Sequence, residues 1–181
     1  MGAIKHPPKA KLIAAVMVND LKLFPAVKQV LQTSFGPTDL ESDVFSFTFT
    51  DYYAEEMGTE LYKQILSFGR LMDKSELAPK KLRANEIEEQ FAIRNAQGLH
   101  RCVNIDPGYV TDSKLVLAST KNFSHRLYIG GGVFAEVTLR YHRTAGFEPL
   151  EWTYPDYRTD LVRAFLELVR QRYMEQLRGN G

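Results

Sequence analysis

Apolar positions divide the chain into segments with two different periods. Residues 12–18 form a continuous apolar run, the pattern of an interior strand covered on both faces. Over residues 20–35 the apolar side chains fall at Phe24, Val27, Val30/Leu31 and Phe35, a helical stripe that Gly36-Pro37 ends. Residues 44–50 alternate strictly: Phe45, Phe47 and Phe49 face one side, Ser46, Thr48 and Thr50 the other. That pattern predicts a half-buried strand. Residues 61–72 fit both periods, because Leu61, Ile65 and Phe68 also suit a helix; Ser67 and Gly69 favour a strand. Asp73-Lys-Ser-Glu76 has capping-box spacing, and Pro79 falls near the first turn, where its missing N–H costs least. Leu77, Ala84, Ile87 and Phe91 carry the helical period to about Asn95, with Gly98 as the terminator.

Beyond His100 the pattern predicts strands over 103–105, 115–119, 127–129 and 133–141. Asp106-Pro107-Gly108, residues 121–124 and Gly130-Gly131-Gly132 read as the connections between them. A loop rich in Pro, Glu and aromatics follows over 146–155. An amphipathic helix over 158–178, carrying Leu161, Phe165, Leu168/Val169 and Leu177, ends the chain. This order predicts an α+β fold: a single mostly antiparallel sheet with about three helices packed on one face. Residues 1–10, with Pro7-Pro8, read as a loose arm, and residues 11–181 as one domain.

Composition narrows the function only by exclusion. The 23 Lys+Arg and 22 Asp+Glu leave a net charge of +1, which removes any global electrostatic case for nucleic acid or membrane. The single cysteine, Cys102, forms no disulfide framework and favours a reducing cytoplasmic compartment. Lys5, Lys9 and Lys11 before an apolar run imitate a signal peptide. The run is short, ends in Asn19-Asp20 and lacks a small-residue cleavage site. Met1-Gly2 imitates a myristoylation start, with His6 where Ser or Thr is needed.

Familiar catalytic motifs are missing. Gly130-Gly-Gly-Val-Phe-Ala135 matches G-x-G-x-x-A, but an alternating strand follows it rather than a helix, so the glycines read as a hairpin turn. There is no P-loop and no nucleophile elbow. His100 and Cys102 would share a strand face, yet two ligands do not make a zinc site, so no metal is expected. Asp51, Glu55 and Glu56 read as a solvated acidic loop. The arginines of the last helix read as a solvated face.

One constellation stands out. A hairpin centred on Gly131 sets Arg126 opposite Glu136 and Tyr128 opposite Phe134, with Leu127 and Ile129 turned to the core. The polar face of the following strand then carries Glu136, Thr138, Arg140 and His142, with Lys121 and His125 in the adjoining loop and Lys114 on the preceding strand. Guanidinium groups bind phosphate or carboxylate bidentately, and a carboxylate such as Glu136 orients an arginine. The competing interpretation is a solvated face whose cross-strand ion pair is worth ~0.2–1 kcal/mol. Tyr128 and Phe134 imitate a base-stacking platform, but the RNP1 pattern is missing, which argues against nucleic acid.

The segments Asn104-Ile-Asp-Pro-Gly-Tyr109, Lys114-Leu-Val-Leu-Ala-Ser-Thr-Lys121, His125-Arg-Leu-Tyr128 and Ala135-Glu-Val-Thr-Leu139 resemble a family of bacterial and archaeal proteins known as domain of unknown function 4416. Pro8-Lys-Ala-Lys-Leu12, Thr50-Asp-Tyr-Tyr53 and Tyr154-Pro-Asp-Tyr-Arg158 extend the likeness over nearly the whole chain. The resemblance implies a bacterial or archaeal cytoplasmic protein and no established reaction. It points to Asp106, Tyr109, Lys114, Lys121, His125, Arg126, Glu136 and Thr138 as the motif positions. A likeness to two-histidine phosphoesterases fails on chemistry: Thr48 and Thr138 would need histidines two residues earlier, where Ser46 and Glu136 stand.

The expectation is therefore a protein that binds, or binds and acts on, a phosphorylated or nucleotide-like anionic small molecule. Lys114, Lys121, Arg126, Arg140, Tyr128, Thr138 and Asp106 would form the binding set, His125 the acid/base and Glu136 its orienting carboxylate, with the cofactor unknown. The alternatives are a non-catalytic interaction or homo-oligomerising protein and, third, a single-stranded RNA binder.

Overall fold

The computed structural model describes residues 2–95 and 98–179. Strand β1 (Ala10–Val18) is buried along its whole length, as its apolar run requires. Helix α1 (Leu23–Phe35) follows, burying Phe24, Val27, Leu31 and Phe35. Next come β2 (Thr38–Glu41), β3 (Phe45–Ser46), the short helix α2 (Ala54–Met57) and β4 (Tyr62–Met72). A 3-10 turn over Lys74–Glu76, where the Asp73 N–H donates to Glu76 Oε1 at 2.9 Å, leads into α3 (Leu77–Gln90). Strands β5 (Ile93–Asn95), β6 (Gly98–His100), β7 (Val103–Val110), β8 (Lys114–Ser119), β9 (Leu127–Gly130), β10 (Val133–His142) and β11 (Gly146–Pro149) precede a second 3-10 turn, Pro155–Arg158, and helix α4 (Asp160–Gly179).

The fold is α+β. Its main sheet has the order β11-β10-β8-β7-β1-β4-β2, with β3 added beside β4 and β9 beside β10, and every registered pair is antiparallel. The helices cover both faces rather than one. Leu12, Ala14, Val16 and Val18 pack with α1 and α3, whereas Ile13 and Ala15 pack with Val162, Phe165, Leu166 and Val169 of α4. An interior strand that is apolar on both faces needs a cover on each.

Four local readings change. The alternation over 44–50 persists in burial, with Phe47 inside, but the ladder registers only Phe45↔Lys63 and Ser46↔Tyr62, and one further bond, from the Phe47 N–H to the Leu61 carbonyl at 2.7 Å, ends the pairing just before β4 begins. The helix expected to reach Asn95 ends at Gln90. Ile93 is 59% exposed, and its segment pairs with residues 98–100 instead. The expected loop over 146–155 begins as β11, paired to the end of β10. Asp106-Pro107-Gly108 is no turn but the middle of β7, where Gly108 meets β8 so closely that a Cβ would collide with the Val116 carbonyl oxygen.

That last point positions the site. Strand β7 pairs with β8 only over Gly108↔Leu117, Tyr109↔Val116 and Val110↔Leu115, so the sheet opens towards the start of β7. The Ile105 N–H and C=O point into the opening. They are met by Glu88 Oε1 at 2.6 Å and Lys81 Nζ at 2.7 Å from α3. Alternation along the strand puts the Pro107 nitrogen on the same side, where it has no hydrogen to donate to β8.

Candidate functional site

A cavity of about 590 Å³ fills this opening, within the range of small-molecule sites. It lies between the start of β7, the end of β8, α3, the loop before α2 and the Tyr154–Tyr157 segment. Its charged lining is balanced: Lys63, Lys81, Arg101, Lys121 and Arg126 against Glu88, Glu89, Asp106, Glu136 and Asp156. The expected cationic cluster with one embedded carboxylate is thus corrected to five charges of each sign.

Pairing accounts for most of them. Lys63 Nζ donates to Asp156 Oδ2 at 2.6 Å, and both side chains are buried. Lys81 Nζ lies 3.2 Å from Asp106 Oδ1 and 3.7 Å from Glu88 Oε1. Arg101 Nη2 donates to Glu88 Oε2 at 2.9 Å and also bonds the Asn104 side chain, whose Nδ2 donates to Asp106 Oδ2 at 2.7 Å. Arg126 Nε donates to Glu136 Oε2 at 2.7 Å. Among the described residues, Lys121 is the lining cation with no carboxylate in reach. Its Nζ bonds the Tyr52 hydroxyl and lies 4.0 Å from the centre of that ring.

Burial and these partners set the protonation states. Burial disfavours the Asp106 anion, but the Lys81 and Lys63 ammonium groups, with hydrogen bonds from Asn104 and Lys81, outweigh it and hold the carboxyl below its ordinary range. For Glu88 burial wins over Lys81, Arg101 and the Ile105 N–H, and its carboxyl is raised. Burial pushes the Tyr53 and Tyr157 phenols well up, reinforced by Asp106 beside Tyr53 and Asp156 beside Tyr157.

Of the expected binding set, Asp106, Lys121 and Arg126 line the cavity together with Glu136. The hairpin register has Tyr128 opposite Phe134 and Arg126 bonded to Glu136, with positive φ at all three turn glycines. The pair is not on a solvated face, since the Arg126 and Glu136 side chains are 8% and 3% exposed. Arg126 Nη1 further donates to Ser119 Oγ at 3.1 Å and the Lys121 carbonyl at 2.9 Å. Leu127 and Ile129, expected in the core, are exposed, and so is Tyr128, which rests on Phe134 away from the cavity.

His125 does not line the cavity. It stacks on Trp152, ring centres 5.0 Å apart, and its Nε2 lies 3.0 Å from Glu136 Oε2. It therefore orders the Glu136 carboxylate and stands behind the site. Thr138 does the same from β10, its buried hydroxyl donating to Glu136 Oε1 at 3.3 Å.

Lys114 and Arg140 fall outside for a specific reason. Pairing runs Val137↔Val116 and then Leu139↔Leu115, so Thr138 is an extra residue, a β-bulge that reverses the alternation. Glu136 faces the α4 side, but beyond the bulge Leu139 does so instead and Arg140 turns away to pair with Glu148 at 2.9 Å. Lys114, opposite Arg140, lies at the far end of β8 from the cavity. Among the described residues no group of three or more His, Cys, Asp or Glu side chains could hold a metal ion.

The residues that sequence reasoning missed come from α3, the Tyr154–Arg158 segment, the loop before α2, β4 with Lys63, and Arg101 just before β7. Lys81 and Glu88 lie two helical turns apart on one face of α3, and the segment brings Tyr154, Asp156 and Tyr157. The available signal was that Thr50-Asp-Tyr-Tyr53 and Tyr154-Pro-Asp-Tyr-Arg158, which supply lining residues, belong to the shared family pattern.

No helix of the described residues is long and apolar enough to cross a membrane. Comparison with curated proteins and with solved structures finds no significant match. Comparison with family models matches residues 8–173 to the Domain of unknown function (DUF4416), and the chain is a member of that family.

Proposed function

We propose that the cavity between β7 and β8 binds a small polar molecule whose anionic group, phosphate or carboxylate, is met at the rim by Lys121 and Arg126. Lys121 carries this reading: four of the five lining cations are neutralised by carboxylates, and Lys121 is not. The Arg126 bond to the Lys121 carbonyl holds the two cations side by side, and the Arg126 Nη2 group has only the Tyr154 hydroxyl, at a long 3.5 Å. Guanidinium and ammonium groups placed this way suit an oxyanion. His125 supports the site by orienting Glu136 rather than by moving protons.

The test is calorimetric titration with ribose 5-phosphate. Lys121→Ala is expected to weaken binding about tenfold or more, because a hydrogen bond to a charged group contributes ~1.5–3 kcal/mol. Lys22→Ala, an exposed lysine outside the cavity, is the control expected to be silent. Equal affinity in Lys121→Ala and wild type would refute the rim site.

Strand β9 favours a second reading, a contact surface for another copy of the chain. Its Leu127 and Tyr128 are 75% and 64% exposed on an uncharged edge. Leu127→Glu would then shift a concentration-dependent sedimentation profile towards monomer. A wild-type profile independent of concentration would dismiss this reading.

A further inference from the structure

We propose that the interior of the same cavity is a second subsite, in which the Tyr157 hydroxyl and Lys63 take a carbonyl or ring-nitrogen acceptor of a flat heterocycle, so that the ligand is a heterocyclic monophosphate. This rests on the rim reading and adds the other half of the molecule. The Tyr157 side chain lines the cavity and is 2% exposed, yet its hydroxyl has no hydrogen-bond partner among the described residues. A buried hydroxyl left without a partner is costly, so one that lines a cavity calls for a group that completes it.

Its surroundings define what completes it. The Lys63 ammonium sits 4.7 Å from the centre of the Tyr157 ring and 5.2 Å from that of Phe47, and its carboxylate partner Asp156 takes one of its three hydrogens. The phenol and the ammonium that line this end are both donors, and a ligand atom that accepts is the complement. Burial keeps the phenol in its neutral, donating form across the physiological range. The walls of the cavity include the rings of Phe47, Tyr53 and Tyr154. Aromatic walls are covered best by a planar ring. The volume of about 590 Å³ accommodates a ring, a linker and a phosphate.

The experiment titrates the full chain with the four common ribonucleoside 5′-monophosphates and with ribose 5-phosphate, in wild type, Tyr157→Phe and Lys121→Ala, and records thermal unfolding of each unliganded variant. At least one monophosphate is expected to bind about tenfold or more tighter than ribose 5-phosphate. Tyr157→Phe should lower that monophosphate's affinity about threefold to tenfold, the range of one neutral hydrogen bond, and leave ribose 5-phosphate unchanged. Its unliganded melting temperature should be equal to or above that of wild type, because the lost hydroxyl had no protein partner; a lower one would mean a structural role and overturn the assignment. Unaltered monophosphate affinity in Tyr157→Phe would mean that the hydroxyl holds only water. No monophosphate outranking ribose 5-phosphate would remove the heterocycle subsite, with the rim site intact if Lys121→Ala still weakens ribose 5-phosphate. If Lys121→Ala changes nothing, the rim reading falls.

Discussion

Cutting the Arg126–Glu136 pair separates a buried ionic site from an exposed sheet contact by magnitude alone. On an open face the pair would contribute at most ~1 kcal/mol to folding. In the fold, the side chains are 8% and 3% exposed, and the same carboxylate is shared by His125 at 3.0 Å and Thr138 at 3.3 Å. Arg126→Met therefore strands a buried carboxylate, and the expected loss is about 3–5 kcal/mol. Glu136→Leu strands the guanidinium and should cost a similar amount. The double variant removes both charges and restores an apolar contact. It should lie within about 2 kcal/mol of wild type, giving a coupling energy of about 4 kcal/mol or more. Urea unfolding followed by fluorescence suits this cycle, since the single tryptophan, Trp152, stacks on His125 beside the pair. Single-variant losses below about 1 kcal/mol that simply add would refute the buried pair.

Two further outcomes follow from the β7–β8 junction and its carboxylate. Gly108→Ala drives a Cβ into the Val116 carbonyl oxygen and the Leu117 side chain, and should cost about 1–3 kcal/mol, read as a fall in melting temperature; an unchanged melting temperature would show that β7 and β8 part freely. Asp106 is held below its ordinary range, so the folded state favours its anion. Its contribution is present above the unfolded value of about pH 3.9 and is lost as pH falls through the lower folded value. Asp106→Asn should accordingly destabilise the protein at pH 7 and by much less near pH 3, and a difference constant between the two would contradict the assignment.

The main periodicities were legible because burial enforces them. The run over 12–18 could only be an interior strand, and the hairpin register followed from three adjacent glycines and the rule that like faces pair. What escaped is local. Thr138 looks like any alternating residue, and only the pairing of β10 with β8 reveals the bulge that sends Glu136 and Arg140 to opposite faces. Asp106-Pro107-Gly108 has turn composition, yet its proline marks an open strand edge and its glycine a close strand contact. Lys81 and Glu88 drew no attention in the helical pattern, because charged side chains on a helix usually are solvated. Their burial depends on an unpaired stretch of β7, a tertiary fact with no signature in the helix itself.

Helix α3 here imitates a missing strand. Where β8 leaves β7, Lys81 supplies the donor and Glu88 the acceptor that a neighbouring backbone would have offered to Ile105. An edge satisfied in this way is closed to strand invasion by another chain, although it lies open in the middle of a sheet. It also makes the Ile105 amide a gauge of α3 docking. Its hydrogen exchanges with solvent only when Glu88 lets go, so any occupant that tightens the Lys81–Glu88–Asp106 network registers as slower exchange at a backbone site outside the cavity's lining.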